Sequence, residues 1–372
     1  MTPPATIGML GGGQLGRYAL MAARSMGYGT VVLEPDACAP AGAVVDDHIV
    51  AAYDDEDALD RLAAACAVVT TEFENPPASS LVRLARTTSV APSAATVAIA
   101  QDRRSEKRFL ADAGLPVGPW GLVESPHARP MVGFPAILKT ARLGYDGKGQ
   151  TTIGAVEHVA DAWSTLGGRP CVLEQELALD AEVSVIVARA ADGRTATYEV
   201  CENHHVNGIL DLTVVPARVA PSVAARATEL ALDVADALDY VGVLAVELFV
   251  VGGEVYVNEL APRPHNSGHW TLDAARTSQF EQQIRAVCGT GLGDTAMTAP
   301  AVAMVNLLGD LWQPWEPDWA TVLAEPRASL HLYGKTIART GRKMGHLTVT
   351  GASADEVVAE AHALRDAISW PR

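Results

Sequence analysis

The first hundred residues alternate strand-like apolar runs with helical patterns, and this alternation constrains the fold more than any other feature of the chain. The β-rich runs occupy residues 5–10, 30–35 and 67–73, and helical patterns occupy residues 15–27 and 54–66. Strands that alternate with helices of this length favour an open parallel α/β sheet. Ligands bind such sheets beyond the carboxyl ends of the strands, where residues 11–16 and 71–77 are expected.

A glycine turn connects the first predicted strand to the first predicted helix. Gly11, Gly13 and Gly16 fit the pattern G-x-G-x-x-G, and the acid Glu34 follows about 20 residues later, as in turns that bind NAD or FAD. An NAD(P)-dependent oxidoreductase is therefore one interpretation of residues 7–34. This interpretation also has to explain the motifs in the rest of the chain.

Composition excludes several classes of partner. The 28 Lys and Arg against 44 Asp and Glu give a net charge of −16, which argues against nucleic acid or an anionic membrane surface. The five cysteines include no C-x-x-C pair, so a reducing compartment is expected, with Cys171 and Cys201 in the core. The chain starts without a signal-peptide pattern and contains no apolar run of about 20 residues. We expect a cytoplasmic, multidomain protein.

The remaining segments add further predicted elements. One continuous helix is expected at residues 95–115, and a longer amphipathic helix at residues 222–240. Residues 134–153 indicate two strands joined by a glycine-rich loop. Short strands and a final helix at residues 354–368 are expected in the last seventy residues.

Residues 243–260 form the most informative pattern, two β-rich runs flanking Gly252-Gly253, which predicts a hairpin. In that hairpin Glu247 and Glu259 are expected opposite one another, with Cβ atoms about 4.5–5.5 Å apart. Two carboxylates at this distance favour a cation between them, and Mg²⁺ or Mn²⁺ fits oxygen ligands and bridges to phosphate. Asn258 adds a neutral oxygen if the strand bends. In the alternative, each acid pairs with a basic neighbour on a solvated face.

A second glycine-rich segment follows the strand that ends near Lys139. Gly144, Gly147 and Gly149 allow backbone N–H groups to approach phosphate oxygens closely, and Lys139 and Lys148 supply positive charge. The segment lacks the G-x-x-x-x-G-K-[ST] pattern of a P-loop. The alternative is an ordinary mobile hairpin tip. A tip that closes over phosphate also excludes water from a reactive intermediate.

Together these motifs resemble the ATP-grasp fold. The segments 11–17 (GGGQLGR), 144–150 (GYDGKGQ), 258–271 (NELAPRPHNSGHWT) and 331–349 (HLYGKTIARTGRKMGHLTV) narrow the resemblance to N5-carboxyaminoimidazole ribonucleotide synthases, ATP- and bicarbonate-using enzymes of microbial purine biosynthesis. The resemblance runs nearly from end to end. It implies an α/β and α+β fold, with an N-terminal Rossmann-like (pre-ATP-grasp) open parallel sheet, an ATP-grasp domain and a small C-terminal β-rich domain.

The resemblance also implies a domain division and a homodimer. The N-terminal substrate-side domain is expected at residues 1–98, the ATP-grasp domain at 99–300 with a lid subdomain near 105–170, and the C-terminal domain at 301–372. In this family the N-terminal glycine turn faces the substrate cleft and binds no dinucleotide. Its helix N-terminus favours anionic or polar ligand groups, and Glu34 becomes an ordinary acid at a strand end.

The implied ATP site draws on several segments. Arg103 and Lys139 are expected at the phosphates, residues 144–150 as the lid, residues 174–177 at adenine and Glu182 at the ribose. Many ATP-grasp enzymes carry Lys where this chain has Arg103, and the charge is kept. The implied ATP-binding residues are Arg103, Lys139, Gly144, Tyr145, Asp146, Gly147, Lys148, Gly149, Gln150, Glu174, Gln175, Glu176, Leu177, Glu182, His205, Asn258 and Glu259. Glu247 and Glu259 are expected to bind Mg²⁺ or Mn²⁺.

The implied ribonucleotide site combines all three segments of the chain. Its binding residues are Gly13, Gln14, Leu15, Glu74, Tyr145, Lys148, Arg263, His265, Asn266, Lys335 and Arg342. The expected catalytic residues are Asp146, His265, Lys335 and Arg263. Asp146 and His265 are both candidates for the base that accepts the amine proton. In the alternative, residues 263–270 are a structural turn in which His269 and Trp270 are simply packed.

The implied reaction is a two-step ligation. Bicarbonate attacks the γ-phosphate of ATP to give carboxyphosphate and ADP, and the amine of 5-aminoimidazole ribonucleotide then takes the carboxyl group. Rival functions are another ATP-grasp ligase, such as a formate-dependent glycinamide ribonucleotide transformylase or a biotin carboxylase, an NAD(P)-dependent oxidoreductase, and a nucleotide-binding regulatory protein. The oxidoreductase interpretation leaves the acidic hairpin and the second glycine loop unexplained.

Overall fold

The computed structural model describes residues 1–144 and 147–369. The N-terminal segment forms a five-stranded parallel sheet in the order β3-β2-β1-β4-β5, which confirms the predicted open α/β sheet. Its elements are β1 (Thr6–Leu10), α1 (Gln14–Ser25), β2 (Gly29–Leu33), β3 (Asp47–Ile49), α2 (Glu56–Ala65), β4 (Val68–Thr71), α3 (Ala78–Leu84), β5 (Ser89–Val90) and α4 (Ala94–Ala100). The short strand β3 was not anticipated.

Both faces of this parallel sheet are buried, because helices cover each side. Ile7 and Met9 pack with Leu20 of α1 on one face, and Leu10 packs with Leu62 of α2 on the other. Phe280, which lies far along the chain, also packs on the first face. The core of the parallel sheet therefore includes a side chain from a later part of the molecule.

The continuous helix expected at residues 95–115 is wrong, because the chain breaks between α4 and α5 (Arg103–Asp112). Asp102 adopts an extended conformation, with φ −131°, and its carboxylate accepts a hydrogen bond from the Arg104 N–H at 3.0 Å. Such an N-cap satisfies a donor that the helix itself leaves open. The break places Arg103 in the first turn of a new helix, where its N–H donates to the Ala141 carbonyl at 2.9 Å.

A four-stranded antiparallel sheet follows, in the order β6-β9-β7-β8. Its elements are β6 (Trp120–Val123), β7 (Ala136–Thr140), β8 (Gln150–Ile153), α6 (Val159–Thr165) and β9 (Cys171–Gln175). The glycine-rich segment connects β7 to β8 as predicted, and the Thr140 N–H donates to the Gly149 carbonyl at 2.8 Å. Tyr145 and Asp146 lie outside the described residues.

The third sheet has nine strands in the order β15-β14-β10-β12-β13-β16-β18-β17, with β11 beside β10. Its strands are β10 (Ala181–Arg189), β11 (Thr195–Thr197), β12 (Cys201–Val206), β13 (Ile209–Val215), β14 (Gly242–Val251), β15 (Glu254–Ala261), β16 (Ala301–Leu308), β17 (Ala328–Leu332) and β18 (Lys343–Gly351). The accompanying helices are α7 (Pro221–Ala237), α8 (Thr271–Ala274), α9 (Gln279–Cys288), α10 (Trp319–Leu323) and α11 (Ala354–Ala367).

The C-terminal strands continue the sheet of the preceding segment, because β13 pairs directly with β16. The expected C-terminal domain therefore shares a sheet with the ATP-grasp segment. The boundaries at residues 98 and 301 stay our prediction.

Two sequence-level expectations about burial and spans can be compared with the structure. Cys171 and Cys201 are fully buried, as expected of core residues, and all five cysteines are free thiols. Among residues 1–144 and 147–369, no helix is long and apolar enough to span a membrane.

Candidate active site

The hairpin β14–β15 brings Glu247 and Glu259 opposite one another, as the sequence predicts. Counting back from the turn, where Val251 faces Glu254, would instead place Asn258 opposite Glu247. A β-bulge after Glu247 supplies the missing residue and restores the pairing of the two acids. The bend that the sequence analysis left open is therefore the feature that aligns the carboxylates.

Each of these acids also has a basic partner. The Nε2 atom of His265 lies 3.0 Å from Glu247 Oε1, and the Nη1 atom of Arg103 lies 2.9 Å from Glu259 Oε2. Burial alone would raise the pKa of Glu247, but the hydrogen bond from His265 lowers this pKa to about 2. Glu247 is therefore ionised at neutral pH, in the form that binds a hard cation.

Beside these acids, the buried carboxylate of Glu174 lies among the positively charged side chains of the site. Glu174 Oε2 lies 3.0 Å from the Nζ atom of Lys139 and 3.6 Å from that of Lys107. Burial opposes ionisation, but the charges of Lys139, Lys107 and Arg103 outweigh it and lower the pKa of Glu174 to about 2. The two predicted phosphate-binding cations, Lys139 and Arg103, thus lie in one cluster with Glu174.

Lys107 and Glu106 belong to this cluster and were missed by the sequence analysis. The Lys107 ammonium donates to the Asn258 carbonyl at 2.9 Å, and Glu106 accepts the Leu260 N–H at 2.7 Å. Burial and the charge of Glu259 raise the pKa of Glu106 to about 8. The signal was available, because residues three and four positions after Arg103 share its helix face.

The expected nucleoside contacts lie on the connection between the two antiparallel sheets and on the neighbouring strands. Gln175, Glu176 and Leu177 lead from the end of β9 towards β10. On β10 and β12, Glu182 Oε2 and His205 Nδ1 lie 2.8 Å apart. Burial would lower the pKa of His205, and its contact with Glu182 outweighs this and raises it. Glu182 and His205, predicted separately, are direct neighbours.

The lid segment approaches the nine-stranded sheet. Gly147 and Gly149 have φ values of +75° and +70°, which residues other than glycine rarely adopt. A Cβ atom on Gly147 would lie 3.0 Å from the Asn207 carbonyl oxygen in the β12–β13 turn. The lid therefore crosses from one sheet to the other, and glycine is needed for both its conformation and its fit. Lys148 lies between these two glycines, Gln150 follows them, and Gly144 begins the segment.

On the substrate side, the structure brings together Glu74 and Arg263, at 2.6 Å between Oε2 and Nε. Burial opposes the charge of Arg263, but Glu74 outweighs it and raises the pKa of the guanidinium. The pair joins the parallel sheet segment to the segment after β15. Next to it, both side-chain amide atoms of Asn266 are buried and lack a partner among the described residues. A buried amide without hydrogen-bond partners is costly. The Asn266 side chain therefore favours a polar ligand at this position.

The glycine turn has an acidic side chain of its own segment as a partner. The Gly13 and Gly16 N–H groups donate to the two carboxylate oxygens of Glu72, at 2.5 and 2.7 Å. Glu72 therefore occupies the helix N-terminus that was expected to favour ligand groups. Glu34 is likewise more than a strand-end acid, because its carboxylate accepts the Gly12 N–H at 2.8 Å. A dinucleotide pyrophosphate would need the space that Glu72 fills, which disfavours the oxidoreductase interpretation. Gln14 and Leu15 begin α1 beside this turn.

Lys335 and Arg342 lie in the segment between β17 and β18. The Lys335 ammonium donates to the Lys343 carbonyl at 2.7 Å, and Arg342 donates to the Ile337 carbonyl at 2.8 Å. This segment lies against α1, since a Cβ atom on Gly334 would be 3.6 Å from the Arg17 guanidinium. Arg17 is thus a further cation at this edge that the sequence analysis did not single out. His269 and Trp270 in the turn are fully buried. Their burial agrees with the alternative in which these two side chains are simply packed.

The donor set fits a hard divalent cation. Two carboxylates face each other at the bulge, and the Asn258 Oδ1 atom beside them is buried without a partner among the described residues. Carboxylate and amide oxygens are the ligands that Mg²⁺ prefers.

Comparisons with known proteins identify the family of the chain. Family models match residues 4–101 (ribonucleotide synthetase preATP-grasp domain), 108–280 (ATP-grasp domain) and 302–360 (phosphoribosylaminoimidazole carboxylase C-terminal domain). The N5-carboxyaminoimidazole ribonucleotide synthase of Brucella melitensis is 46% identical over 355 residues, which cover 94% of this chain and 97% of that relative.

Solved structures give the same result. The ADP complex of an N5-carboxyaminoimidazole ribonucleotide synthetase is 41% identical, with a TM-score of 0.91 over 98% of this chain and 97% of the other. An N5-carboxyaminoimidazole synthase from Aspergillus clavatus, solved with ADP and 5-aminoimidazole ribonucleotide, is 28% identical, with a TM-score of 0.89 over 99% of both chains. These matches confirm the ATP-grasp fold and favour the ligase interpretation over its rivals. The chain belongs to the N5-carboxyaminoimidazole ribonucleotide synthase family, the ATP-grasp ligases that carboxylate 5-aminoimidazole ribonucleotide in purine biosynthesis.

Proposed function

We propose that this chain uses bicarbonate as its carboxyl donor and reacts through carboxyphosphate, with ATP held between the four-stranded and nine-stranded sheets. The observation that carries the proposal is the cluster of Lys139, Lys107 and Arg103 beside the paired acids Glu247 and Glu259. Three cations grouped around Glu174, beside the two paired acids, suit a triphosphate with its metal ion. Catalysis of phosphoryl transfer rests mainly on such positioning and charge stabilisation.

In the first step a bicarbonate oxygen attacks the γ-phosphate, the bond to ADP breaks, and carboxyphosphate forms. Lys139 and Arg103 stabilise the charge that develops on the transferring phosphoryl group. Glu247 and Glu259, with Asn258 beside them, would hold Mg²⁺ or Mn²⁺, which supplies further charge neutralisation at the phosphates when bound. The predicted lid, of which Gly144 and residues 147–150 are described, would close over this region and exclude the water that hydrolyses carboxyphosphate.

In the second step the amine of 5-aminoimidazole ribonucleotide forms a bond to the carboxyl carbon, and phosphate leaves. Arg263, Glu74, His265 and Asn266 surround the amine and the carboxyl group. Lys148, Lys335 and Arg342 bind the ribonucleotide, with Gln14 and Leu15 at the start of α1, while the Gly13 N–H remains bonded to Glu72. The amine proton passes to a base, for which Asp146 and His265 are the two candidates.

Isotope transfer tests the bicarbonate step directly. With ¹⁸O-labelled bicarbonate, attack by a bicarbonate oxygen moves one labelled oxygen into the released phosphate. We expect one labelled oxygen per phosphate in the presence of 5-aminoimidazole ribonucleotide. Unlabelled phosphate formed together with carboxylated product would contradict the carboxyphosphate route.

Metal titration tests the assigned carboxylates. Glu247→Gln and Glu259→Gln each remove one ionised ligand without changing shape, so the Mg²⁺ concentration needed for half-maximal activity should rise by at least about 10-fold. Glu229→Gln, at an exposed acid on α7, is the matched control. Unchanged Mg²⁺ dependence in both site variants would remove the metal assignment while leaving the ligase activity in place.

We further propose that the chain works as a cytoplasmic homodimer. The resemblance to its family supports this assembly. Light scattering after size exclusion should give about twice the 39.0 kDa chain mass. A single-chain mass at micromolar concentration would contradict it.

A further inference from the structure

A continuous line of side-chain hydrogen bonds runs beneath the candidate site. The Thr213 hydroxyl donates to Asn203 Oδ1 at 2.9 Å, and Asn203 Nδ2 donates to Ser184 Oγ at 2.8 Å. The Oγ atoms of Ser184 and Ser267 lie 2.8 Å apart, and Ser267 Oγ lies 2.9 Å from His265 Nδ1. We call these five residues the His265 chain.

The register of the sheet explains how the His265 chain crosses from strand to strand. Asn203 on β12 faces Thr213 on β13, and Ser184 on β10 faces Glu247 on β14. The side chains of Thr213, Ser184 and Ser267 are fully buried, and Asn203 is only 6% exposed. Burying four polar side chains is tolerable only where each finds its partners, and such satisfied networks have one geometry.

The two ends of the Asn203 amide set the donor and acceptor roles at the start of the His265 chain. Since its oxygen accepts from Thr213, its N–H group points at Ser184, whose oxygen must accept. Either Oγ atom can donate in the hydrogen bond between Ser184 and Ser267, and Ser184 also contacts the Cys201 thiol. The Ser267 backbone N–H, which can only donate, also points at Nδ1, at 3.4 Å. This backbone donor makes Nδ1 an acceptor.

A carboxylate accepts hydrogen bonds and does not donate them, so the Nε2 atom beside Glu247 carries a proton. That atom lies 3.0 Å from Glu247 Oε1, so His265 donates to the carboxylate. Backbone contacts hold the residue in place as well, because the His265 N–H donates to the Gln279 side chain at 2.9 Å and its carbonyl accepts from the same side chain at 2.7 Å. Neither ring nitrogen then has a lone pair free for a substrate proton.

We propose that the His265 chain makes His265 a positioning residue for Glu247 rather than the base of the reaction. Ser267, Ser184, Asn203 and Thr213 act through it by holding the imidazole ring in place from the Nδ1 side. Carboxylates that bind metal ions are commonly oriented by such outer hydrogen bonds. The inference rests on the proposed role of Glu247 in metal binding. Of the two candidate bases, it leaves Asp146, which lies outside the described residues.

Two substitutions at residue 265 separate the roles. His265→Gln retains an N–H donor near the position of Nε2 but accepts no proton, whereas His265→Leu retains neither ability. A positioning role predicts that His265→Leu raises the half-activating Mg²⁺ concentration about 10–100-fold. It predicts that His265→Gln recovers most of that loss in Mg²⁺ dependence, so that the two variants differ. A base role predicts a loss of kcat of about 10²–10⁴-fold in both variants at every Mg²⁺ concentration, which would overturn the proposal.

A change at the far end of the chain gives a second readout. Thr213→Val removes the hydroxyl that orients Asn203, and Thr213→Ser restores it. The matched control is Thr348→Val in the same sheet, because the Thr348 hydroxyl is buried without a partner among the described residues. Thr213→Val should raise the half-activating Mg²⁺ concentration by about 3–10-fold, and Thr213→Ser and Thr348→Val should leave it at the wild-type value. Equal values in Thr213→Val and Thr348→Val would overturn the proposal.

The wild-type protein provides a test that needs no folding of variants. In ¹⁵N-histidine-labelled protein, the His265 resonances, assigned by comparison with His265→Gln, should show the proton on Nε2. A proton on Nδ1 would overturn the proposal. Failure of the metal assignment is distinguishable, because then Glu247→Gln itself leaves the Mg²⁺ dependence unchanged. If Glu247→Gln changes that dependence and His265→Leu does not, the inference about His265 alone fails.

Discussion

Replacing Glu174 with Gln should destabilise the protein strongly, although the shape of the side chain is unchanged. The carboxylate lies between the ammonium groups of Lys139 and Lys107, at 3.0 and 3.6 Å. All three side chains are at most 12% exposed, so water cannot replace the lost charge. Glu174→Gln leaves two buried cations close together without their shared anion.

Two estimates of the cost agree. The pKa of Glu174 falls from 4.5 to about 2 on folding. At roughly 1.4 kcal/mol for each unit, this is about 3 kcal/mol of the free energy of unfolding at neutral pH. Removing one member of a buried ion pair costs about 3–5 kcal/mol in other proteins. Because the pKa is lowered, the contribution is complete above pH 4.5 and disappears as the pH falls towards 2.

Urea denaturation of the nucleotide-free protein at pH 7 measures this loss, with Glu229→Gln as the control for an exposed acid, which should change stability by less than about 0.5 kcal/mol. Repeating the measurement at lower pH should show the gap between wild type and Glu174→Gln shrinking below pH 4.5. A loss below about 1 kcal/mol at pH 7, or a gap that is independent of pH, would refute the idea that Glu174 balances the two lysines.

Further substitutions test other parts of the account. Gly13→Ala should destabilise the first sheet by about 1–3 kcal/mol and raise KM for the ribonucleotide, because its Cβ atom would lie 2.5 Å from the Glu72 carboxylate; wild-type thermal stability would contradict this. Asp102→Ala should cost about 1 kcal/mol in urea by removing the cap of α5, and should weaken ATP binding by calorimetry through the adjoining Arg103; unaltered ATP affinity would argue against that coupling. Glu106→Gln should flatten the pH dependence of stability between pH 4.5 and 8 in metal-free protein, since a raised pKa means that wild-type stability falls over that interval; a parallel pair of curves would show that Glu106 ionises normally.

Much of the architecture could be predicted from local patterns. The parallel sheet, the β7–β8 hairpin and the β14–β15 hairpin each have a periodicity and turn residues that a single segment reveals. The break at Asp102 was missed because apolar spacing continues through it, and only the cap distinguishes two helices from one. The sharing of one sheet by β13 and β16 depends on a contact distant in sequence, which local patterns do not encode.

The candidate site shows the same division. Glu247, Glu259, Lys139 and Arg103 carry recognisable motifs, and the structure places them together. The partners of these groups were largely missed, because pairings such as Glu72 with the glycine turn join residues 56 and 59 positions apart. The sequence therefore indicates which groups do chemistry, and the structure shows what holds them.

The central claim, that this site uses ATP to carboxylate 5-aminoimidazole ribonucleotide, is tested most directly by the rate of ADP release from MgATP and bicarbonate, measured with and without that ribonucleotide. We predict strong stimulation by 5-aminoimidazole ribonucleotide, with an acid-labile carboxylated product formed in equal amount to ADP. Stimulation by a different acceptor instead, or ADP release that ignores the ribonucleotide in folded, ATP-binding protein, would contradict the account.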